Sequence, residues 1–286
     1  MTAGQEPLER LAAAAGSAGI PIAPGASEVV YAIGDIHGCY HLLRDLLSQI
    51  ARDADMLPPY QNITCVFLGD YVDRGPESAS VIAALLWLER HAPFDCVFLR
   101  GNHEQVMLDY LADPLTAAAW LQFGGVETLQ SYGVTVPENR AEPLNHVQLR
   151  DALLDLLPAA HLDFLTRLPT RYETKDQIFV HAGLRPGTAL TGQVDEDLLW
   201  IRDDFLDYEG SFEKLVVYGH TWTSDQPEVS EHRIGLDTGA YETGVLTAAR
   251  FVGNDVDFLR STTGTAGKGA PSDLSQSNTG DDRFDT

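Results

Sequence analysis

Three segments of this 286-residue chain share one pattern: an apolar run, then a polar turn containing glycine, then a helix. The apolar runs are Val29–Ile33, Cys65–Leu68 and Cys96–Leu99, and their β-branched and aromatic residues are typical of buried strands. After each turn, apolar residues recur at the spacing of an amphipathic helix. The pattern predicts three successive strand–turn–helix units and therefore an α/β fold.

The spacing of these units indicates how their turns are arranged. Asp35, Asp70 and Asn102 occupy equivalent places in the three turns, 35 and 32 residues apart. This is close to the ~30 residues of a β-α-β unit, whose strands are parallel. Because turns after parallel strands open on one edge of a sheet, the three polar turns should converge there, as a metal site requires.

Two later apolar runs end in histidine. Ile178–Val180 leads into His181, and Leu215–Tyr218 leads into His220. The next two runs are predicted to be the closing strands of a second sheet: Ile234–Leu236 and Val245–Phe251.

The two ends of the chain differ in composition from its centre. Residues 1–27 are rich in Ala, Gly and Pro, and residues 261–286 are mostly Ser, Thr, Gly and Asp. Segments with few apolar residues bury too little surface to offset the entropy lost on ordering. We therefore expect a flexible N-terminal arm at 1–27, one domain at 28–260 and a disordered C-terminal tail at 261–286.

The formal charge of -23 argues against nucleic acid as a partner, because phosphates normally meet a basic face. A small phosphorylated ligand needs only a local positive site, which bound divalent metals supply. No apolar run approaches the ~18 residues of a membrane-spanning helix, and the N-terminus lacks the features of a signal peptide. We therefore expect a cytoplasmic protein that does not bind membranes.

Six polar residues near the ends of predicted strands are candidate metal ligands: Asp35, His37, Asp70, Asn102, His181 and His220. Asp35 and His37 are two apart in an extended turn, so both side chains leave on the same side and can hold one ion. Asp70 can lend its carboxylate as a bridge. A set of oxygen and nitrogen donors without thiolate suits Mn²⁺, Fe or Zn²⁺ better than Mg²⁺ or Ca²⁺.

Five blocks of sequence carry a family resemblance: G-D-I-H-G, G-D-Y-V-D-R-G, G-N-H-E, V-H-A-G and Y-G-H-T. In order and spacing they resemble the phosphoprotein phosphatase family of calcineurin-like metallophosphoesterases. The bacterial and phage branch, which includes the symmetrical diadenosine tetraphosphate hydrolases, looks nearest. The resemblance implies an α/β fold in which two mixed β-sheets pack as a sandwich flanked by helices.

The resemblance also implies a metal-dependent phosphatase with two divalent metal ions per chain, manganese before iron or zinc. Its ligand assignment is Asp35 and His37 for the first metal, Asp70 as the bridge, and Asn102, His181 and His220 for the second. A hydroxide shared by the two metals would attack phosphorus directly, in line with the leaving oxygen. No phosphoenzyme is expected.

The other implied residues act on the phosphate and the leaving group. Arg74 is expected to bind the phosphoryl oxygens, since a guanidinium offers them paired donors, and Arg202 is the candidate for a further arginine. Arg100 is expected to be a packing residue. His103 would protonate the leaving oxygen, with Asp73 fixing its ring and raising its basicity.

The five blocks do not distinguish between substrate classes. The preferred hypothesis is a serine/threonine protein phosphatase, which acts on phosphorylated proteins. The alternative is a hydrolase of dinucleoside polyphosphates such as diadenosine tetraphosphate, or of another small phosphorylated compound. A binding module without chemistry is disfavoured, because every expected ligand and the expected acid are present.

Substrate choice should depend on residues 105–175, where this chain departs from the eukaryotic phosphatases. Trp120, Phe123, Gly124–Gly125 and Tyr132 either shape a flap over the site or pack in a helical layer. For Trp120 the helical layer is the preferred interpretation.

Overall fold

A computed structural model of the protein describes residues 28–58, 62–138, 142–253 and 255–263. The predicted arm at 1–27 lies outside the described residues, as does the part of the predicted tail from 264 to 286. Ser261 and Thr262 belong instead to the last strand, because they pair with the strand before it. This strand therefore continues two residues beyond the domain end predicted at residue 260.

The first sheet has five strands: β1 Glu28–Ile33, β2 Asn62–Phe67, β3 Asp95–Phe98, β9 Val245–Val252 and β10 Asp255–Thr262. Their order is β10-β9-β1-β2-β3. β1, β2 and β3 run parallel, whereas β9 is antiparallel to both of its neighbours. The three parallel strands are those of the predicted strand–turn–helix units.

The second sheet also has five strands: β4 Arg171–Glu173, β5 Gln177–Val180, β6 Leu215–Tyr218, β7 Glu228–Val229 and β8 Arg233–Gly235. Their order is β4-β5-β6-β8-β7. β5, β6 and β8 are parallel, and the two edge strands β4 and β7 are antiparallel to their neighbours. Both sheets are thus mixed.

The prediction that Val245–Phe251 closes the second sheet is wrong. This run is β9, which pairs with β1 in the first sheet, for example Ala249 with Ala32. Its residues are nearly all buried, and a continuously buried strand has no alternation that would indicate which sheet receives it. Ile234 does lie in the second sheet, in β8.

The side chains of β1 show how the layers are stacked. Tyr31 and Ile33 belong to the apolar cluster that contains the helices, whereas Val30 and Ala32 pack with residues of the second sheet such as Phe179. Successive side chains of a strand point to opposite faces, so one strand serves both layers. A third cluster covers the outer face of the second sheet. The predicted sandwich of two mixed sheets flanked by helices is confirmed.

The described residues form nine α-helices: α1 Tyr40–Ala54, α2 Ser78–His91, α3 Asn102–Ala112, α4 Gly125–Ser131, α5 Pro143–Leu156, α6 Ala159–Thr166, α7 Asp195–Trp200, α8 Asp203–Leu206 and α9 Ala240–Thr243. Two short 3₁₀ helices span Ala118–Gln122 and Leu190–Gly192. In α1, Leu42, Leu46 and Ile50 point to the core at the spacing of an amphipathic helix. Within the described ranges, no helix has the length and apolarity needed to cross a membrane.

Candidate metal centre and substrate cleft

All six candidate ligands follow the carboxyl ends of parallel strands, and these strands come from both sheets. Asp35 and His37 follow β1, Asp70 follows β2, Asn102 follows β3, His181 follows β5 and His220 follows β6. All six side chains are buried. Two sandwiched sheets whose parallel strands end at one edge therefore bring together residues that are up to 185 positions apart, such as Asp35 and His220.

The donor atoms form two groups that share Asp70. The His37 group consists of His37, Asp70 and His103, and the His181 group consists of Asp70, His181 and His220; within each group the donor atoms lie within 4.8 Å of one another. A carboxylate oxygen of Asp70 lies 3.4 Å from Nε2 of His37, and the other oxygen lies 3.4 Å from Nε2 of His181. Two donors bound to one cation at about 2.1 Å stand roughly 3.0–3.4 Å apart, so these separations suit shared ligation.

Asn102 joins the His181 group through its side-chain oxygen. Oδ1 lies 2.9 Å from Nε2 of His181 and 3.1 Å from Nδ1 of His220. Nδ1 of His181 donates to the carbonyl of Leu68 at 2.9 Å, so in the neutral ring Nε2 carries a lone pair. That lone pair faces the oxygens of Asn102 and Asp70, which are also acceptors and therefore repel it. A cation bound between these three atoms would remove the repulsion, because each atom could then act as a ligand.

Asp35 occupies the side of the centre next to His220. Its Oδ2 accepts the backbone N–H of His220 at 2.9 Å, whereas its buried Oδ1 and the buried Nε2 of His220 have no hydrogen-bond partner among the described residues. Burial and the neighbouring carboxylates of Asp237 and Asp70 raise the pKa of Asp35 well above its usual range. Burial lowers the pKa of His37 and of His220 well below theirs, which keeps the imidazoles neutral. Crowded carboxylates and neutral imidazoles fit divalent cations.

The backbone around the centre is strained. Among the residues that the structure describes, five other than glycine have a positive φ, and all lie here: His37 (43°), Asp70 (52°), Asp73 (72°), Arg74 (66°) and His220 (66°). Each costs about 1–2 kcal/mol and persists only where neighbouring contacts fix it. The buried carboxylate of Glu104 is one such contact, because it accepts the backbone N–H groups of Asp70, Tyr71, Val72 and Gly101 at 2.7–3.2 Å.

His103 and Asp73 form the predicted pair. Nδ1 of His103 donates to Oδ2 of Asp73 at 2.7 Å, which leaves Nε2 3.9 Å from Asp70 and 3.5 Å from Arg74. Burial lowers the pKa of His103, but the carboxylates of Asp70 and Asp73 outweigh it and raise this pKa above its usual value. Nε2 is therefore the atom available either for proton donation or for ligation in the His37 group.

Asp73 is itself held by side chains far away in the sequence. Nε1 of Trp120 donates to Oδ2 at 2.8 Å, and Oγ1 of Thr128 donates to Oδ1 at 2.6 Å. The same Thr128 hydroxyl accepts the backbone N–H of Asp73 at 2.8 Å. Trp120 is fully buried and packs on Tyr110, so it lies in the helical layer and also orients Asp73.

A cavity of about 950 Å³ opens over the donor groups, and both predicted phosphate-binding residues, Arg74 and Arg202, line it. A guanidinium nitrogen of Arg74 donates to the hydroxyl of Tyr241, and the guanidinium carbon lies 4.8 Å from the centre of this ring. Arg100 does not line the cavity and donates instead to Gln105 at 3.0 Å.

Residues of the segment from Leu121 to Glu127 also line the cleft, with Phe123 and Gly124 among them. Gly124 also accepts the backbone N–H of Arg74 at 3.3 Å. Tyr132 lies away from the cleft and contacts His161. Phe123 and Gly124 therefore border the cleft, whereas Trp120 and Tyr132 pack among the helices.

A sequence profile of the calcineurin-like phosphoesterases matches residues 29–224, which is more than half of the chain. This chain belongs to the calcineurin-like phosphoesterase family. It is a hydrolase of phosphoester or phosphoanhydride bonds. The family uses divalent metals, and the His37 and His181 groups of this phosphoesterase are able to hold them.

Relatives of this phosphoesterase are known from sequence and structure. The asymmetrical bis(5'-nucleosyl)-tetraphosphatase PrpE of Bacillus mycoides (strain KBAB4) is 29% identical over 236 residues, which cover 77% of this chain and 89% of the relative. A protein provisionally assigned as a diadenosine tetraphosphatase superposes with a TM-score of 0.54 and 22% identity over 85% of this chain and 97% of its own. A protein serine/threonine phosphatase from Saccharomyces cerevisiae superposes with a TM-score of 0.50 and 14% identity over 95% of this chain and 92% of its own. Both of these solved structures have the same fold as this phosphoesterase.

The residues of the phosphoesterase site that were not predicted include Glu104, Thr128, Asp237 and Tyr241. Asp237 follows β8 and lines the cleft, and burial together with Asp70 raises its pKa to about 7. Its sequence signal was present, because an apolar run before Asp237 and Gly239 repeats the pattern of the first three turns. Glu104 is the last residue of the G-N-H-E block, but no role was predicted for it. No local sequence pattern marks Tyr241.

Proposed function

We propose that this phosphoesterase hydrolyses dinucleoside tetraphosphates asymmetrically, to a nucleoside monophosphate and a nucleoside triphosphate. The cleft carries the proposal, because its ~950 Å³ combine two arginines with aromatic and apolar walls directly over the donor groups. A nucleotide joins a charged phosphate chain to a flat base, and the cleft suits both parts. The similarity to the asymmetrical tetraphosphatase PrpE supports the same substrate class.

Two divalent cations belong to this proposal. The mixed oxygen and nitrogen donor set suits manganese, iron and zinc, and we take manganese as the first candidate. The proposed ligands are Asp35 and His37 for the first cation, Asp70 as the bridge, and Asn102, His181 and His220 for the second. When bound, the two cations would supply the positive charge that activates a water molecule and stabilises the phosphoryl oxygens.

The chain itself orients the substrate and handles one proton. We assign the phosphate oxygens to Arg74 and Arg202, whose guanidinium groups both line the cleft. The oxygen of water forms a bond to phosphorus while the bridging bond of the anhydride breaks, and the water gives up a proton to solvent. Nε2 of His103 gives its proton to the departing oxygen, and Asp73 keeps the ring in the orientation that makes this transfer possible.

The alternative predicted from the sequence is thus preferred over the serine/threonine phosphatase hypothesis. That hypothesis relied on five blocks that both substrate classes share. The similarity to the yeast phosphatase, at 14% identity, concerns the fold alone. The match to the asymmetrical tetraphosphatase covers 89% of that relative.

The test compares kcat/KM for diadenosine tetraphosphate and for a phosphoserine peptide on one manganese-loaded preparation, with a chelator control. We expect at least ~10²-fold preference for the nucleotide, the discrimination that a dedicated polar site provides. Chromatography should show adenosine mono- and triphosphate as the products. Two diphosphates would disprove asymmetrical cleavage, and a preference for the peptide would disprove the substrate class.

A further inference from the structure

Trp222 is an aromatic side chain of the cleft that the chemistry above does not use. It lies two residues after His220, in the loop that follows β6, and is partly exposed to the cavity. Of the three apolar clusters that the described residues form, none includes Trp222. Core packing therefore does not explain an indole at this position.

Gly239 covers one face of this indole. A Cβ added to Gly239 would lie 2.7 Å from Cδ2 of Trp222 and 2.9 Å from Cε2 and Cε3. Because Cδ2 is bonded to three other ring atoms, another atom can approach it this closely only from above or below the ring plane. The absence of a side chain at Gly239, whose φ is 64°, thus permits both the turn and the face contact.

Tyr241 connects Trp222 to the metal centre. Its ring meets Trp222 edge to face, with centroids 6.4 Å apart, and meets His37 in the same way at 5.3 Å. The guanidinium of Arg74 lies over the Tyr241 ring and fixes it. Trp222 therefore contacts Tyr241, which in turn contacts His37, so the indole lies on the same side of the cleft as the metal centre.

We propose that Trp222 is the stacking platform for the nucleobase nearest the bond that is cleaved. This inference rests on the proposed function and specifies where the nucleoside binds. In asymmetrical cleavage the broken bond adjoins the phosphate that carries the nucleoside, so one base must lie close to the donor groups. Every base has a π face, so an aromatic platform binds it with little dependence on its identity. Phosphoserine and phosphothreonine have no ring that could use this platform.

The experiment compares Trp222→Leu, which keeps apolar bulk but loses the π face, with Trp222→Phe, which keeps a ring. Trp222→Leu should lower kcat/KM for diadenosine tetraphosphate about 5- to 100-fold, the scale of one stacked base. Trp222→Phe should retain most of the activity. Metal content, measured for each variant, controls for displacement of the neighbouring His220.

Comparing two inhibitors separates the contribution of the base to binding from that of the sugar and phosphate. With p-nitrophenyl phosphate as the reporter substrate, Trp222→Leu should raise the inhibition constant of adenosine 5'-monophosphate by a similar factor. It should not change that of ribose 5-phosphate, which lacks only the base. Equal changes for the two inhibitors, with metal content intact, would overturn the stacking proposal and leave the proposed function standing.

Two other outcomes separate the stacking proposal from the proposed function. If the native enzyme does not cleave diadenosine tetraphosphate but still shows a Trp222-dependent preference for adenosine monophosphate, the platform is supported and the substrate is wrong. If Trp222→Leu impairs only the hydrolysis of phosphotyrosine, the ring that Trp222 binds is a tyrosine and the stacking proposal is overturned.

Discussion

The His37 and His181 groups share Asp70, but one ring of the His37 group, that of His103, is held differently from the rings of His37 and His181. His181 and His37 each donate a ring N–H to a backbone carbonyl, at 2.9 and 2.8 Å. His103, which completes the His37 group, donates instead to the carboxylate of Asp73 at 2.7 Å. Among the three rings, only His103 has its pKa raised, while burial lowers the pKa of the other two.

Because of this difference, one residue type can serve two tasks in the same centre. A carbonyl partner fixes the neutral tautomer and presents a lone pair on Nε2, which is what a metal ligand needs. A carboxylate partner also stabilises the protonated ring, which is what a proton donor needs, although it can raise the basicity of a ligand as well. Substitutions of these histidines and of their partners test whether His103 differs from the other two in this way.

The largest effect is expected from Asp70→Asn, because Asp70 is the one residue common to both groups. Removing its charge should weaken both cation sites, and two losses of about 10² each predict roughly 10⁴-fold lower kcat. Metal analysis should show both ions lost in step with activity. A variant that keeps two metals per chain and normal turnover would contradict the bridging assignment.

His103→Asn should cost about 10²–10⁴-fold on an alkyl phosphate, the usual scale of general-acid catalysis, and much less on p-nitrophenyl phosphate. A nitrophenolate leaves readily without a proton, whereas an alkoxide does not. A polyphosphate is also a better leaving group than an alkoxide, so the loss on diadenosine tetraphosphate should lie between these two.

Measuring the metal content of the His103→Asn variant distinguishes the possible roles of His103. Intact metal with equal losses on both substrates would point to a role in binding or in positioning the nucleophile. Equal losses together with metal release would show that His103 is a ligand of the His37 group and that its carboxylate partner serves to raise ligand basicity.

His37→Ala and His181→Ala should each release about one metal ion and lower kcat by roughly 10²–10³-fold, the effect of removing one electrostatic contribution to the transition state. Each ring belongs to a different donor group, so the other ion should remain. Calorimetric titration with Mn²⁺ would count the sites in each variant. If either substitution removes both metal ions, the His37 and His181 groups bind their ions cooperatively and not independently.

The smallest effect is expected from Thr128→Val, which removes the hydroxyl that donates to Asp73 at 2.6 Å. Loss of a residue that orients a functional pair typically costs about 10–100-fold in activity. The loss should be larger for an alkyl phosphate than for p-nitrophenyl phosphate, because Thr128 acts through His103. Thr116→Val is the matched control, since the Thr116 hydroxyl is exposed and bonds to Asp113. Losses independent of the leaving group would show that Thr128 only stabilises the fold.

Local sequence patterns identify which residues could become donors. Asp35, Asp70, Asn102, His181 and His220 each follow an apolar run that becomes a parallel strand, and that pattern is local. Strand propensity and turn chemistry act within a few residues, so they can be recognised in one sequence. The same pattern precedes Asp237, which was not among the predicted site residues.

The differences between the donors depend on tertiary packing. Trp120 and Thr128 hold Asp73 across 47 and 55 residues, and Tyr241 meets Arg74 across 167. Such partners depend on how helices and loops pack. The place of β9 in the first sheet is decided in the same way, because backbone hydrogen bonds join any two strands and do not depend on side-chain identity. Local sequence fixes which groups a segment offers, whereas long-range packing fixes which group each one meets and therefore whether a buried histidine is held as a ligand or as an acid.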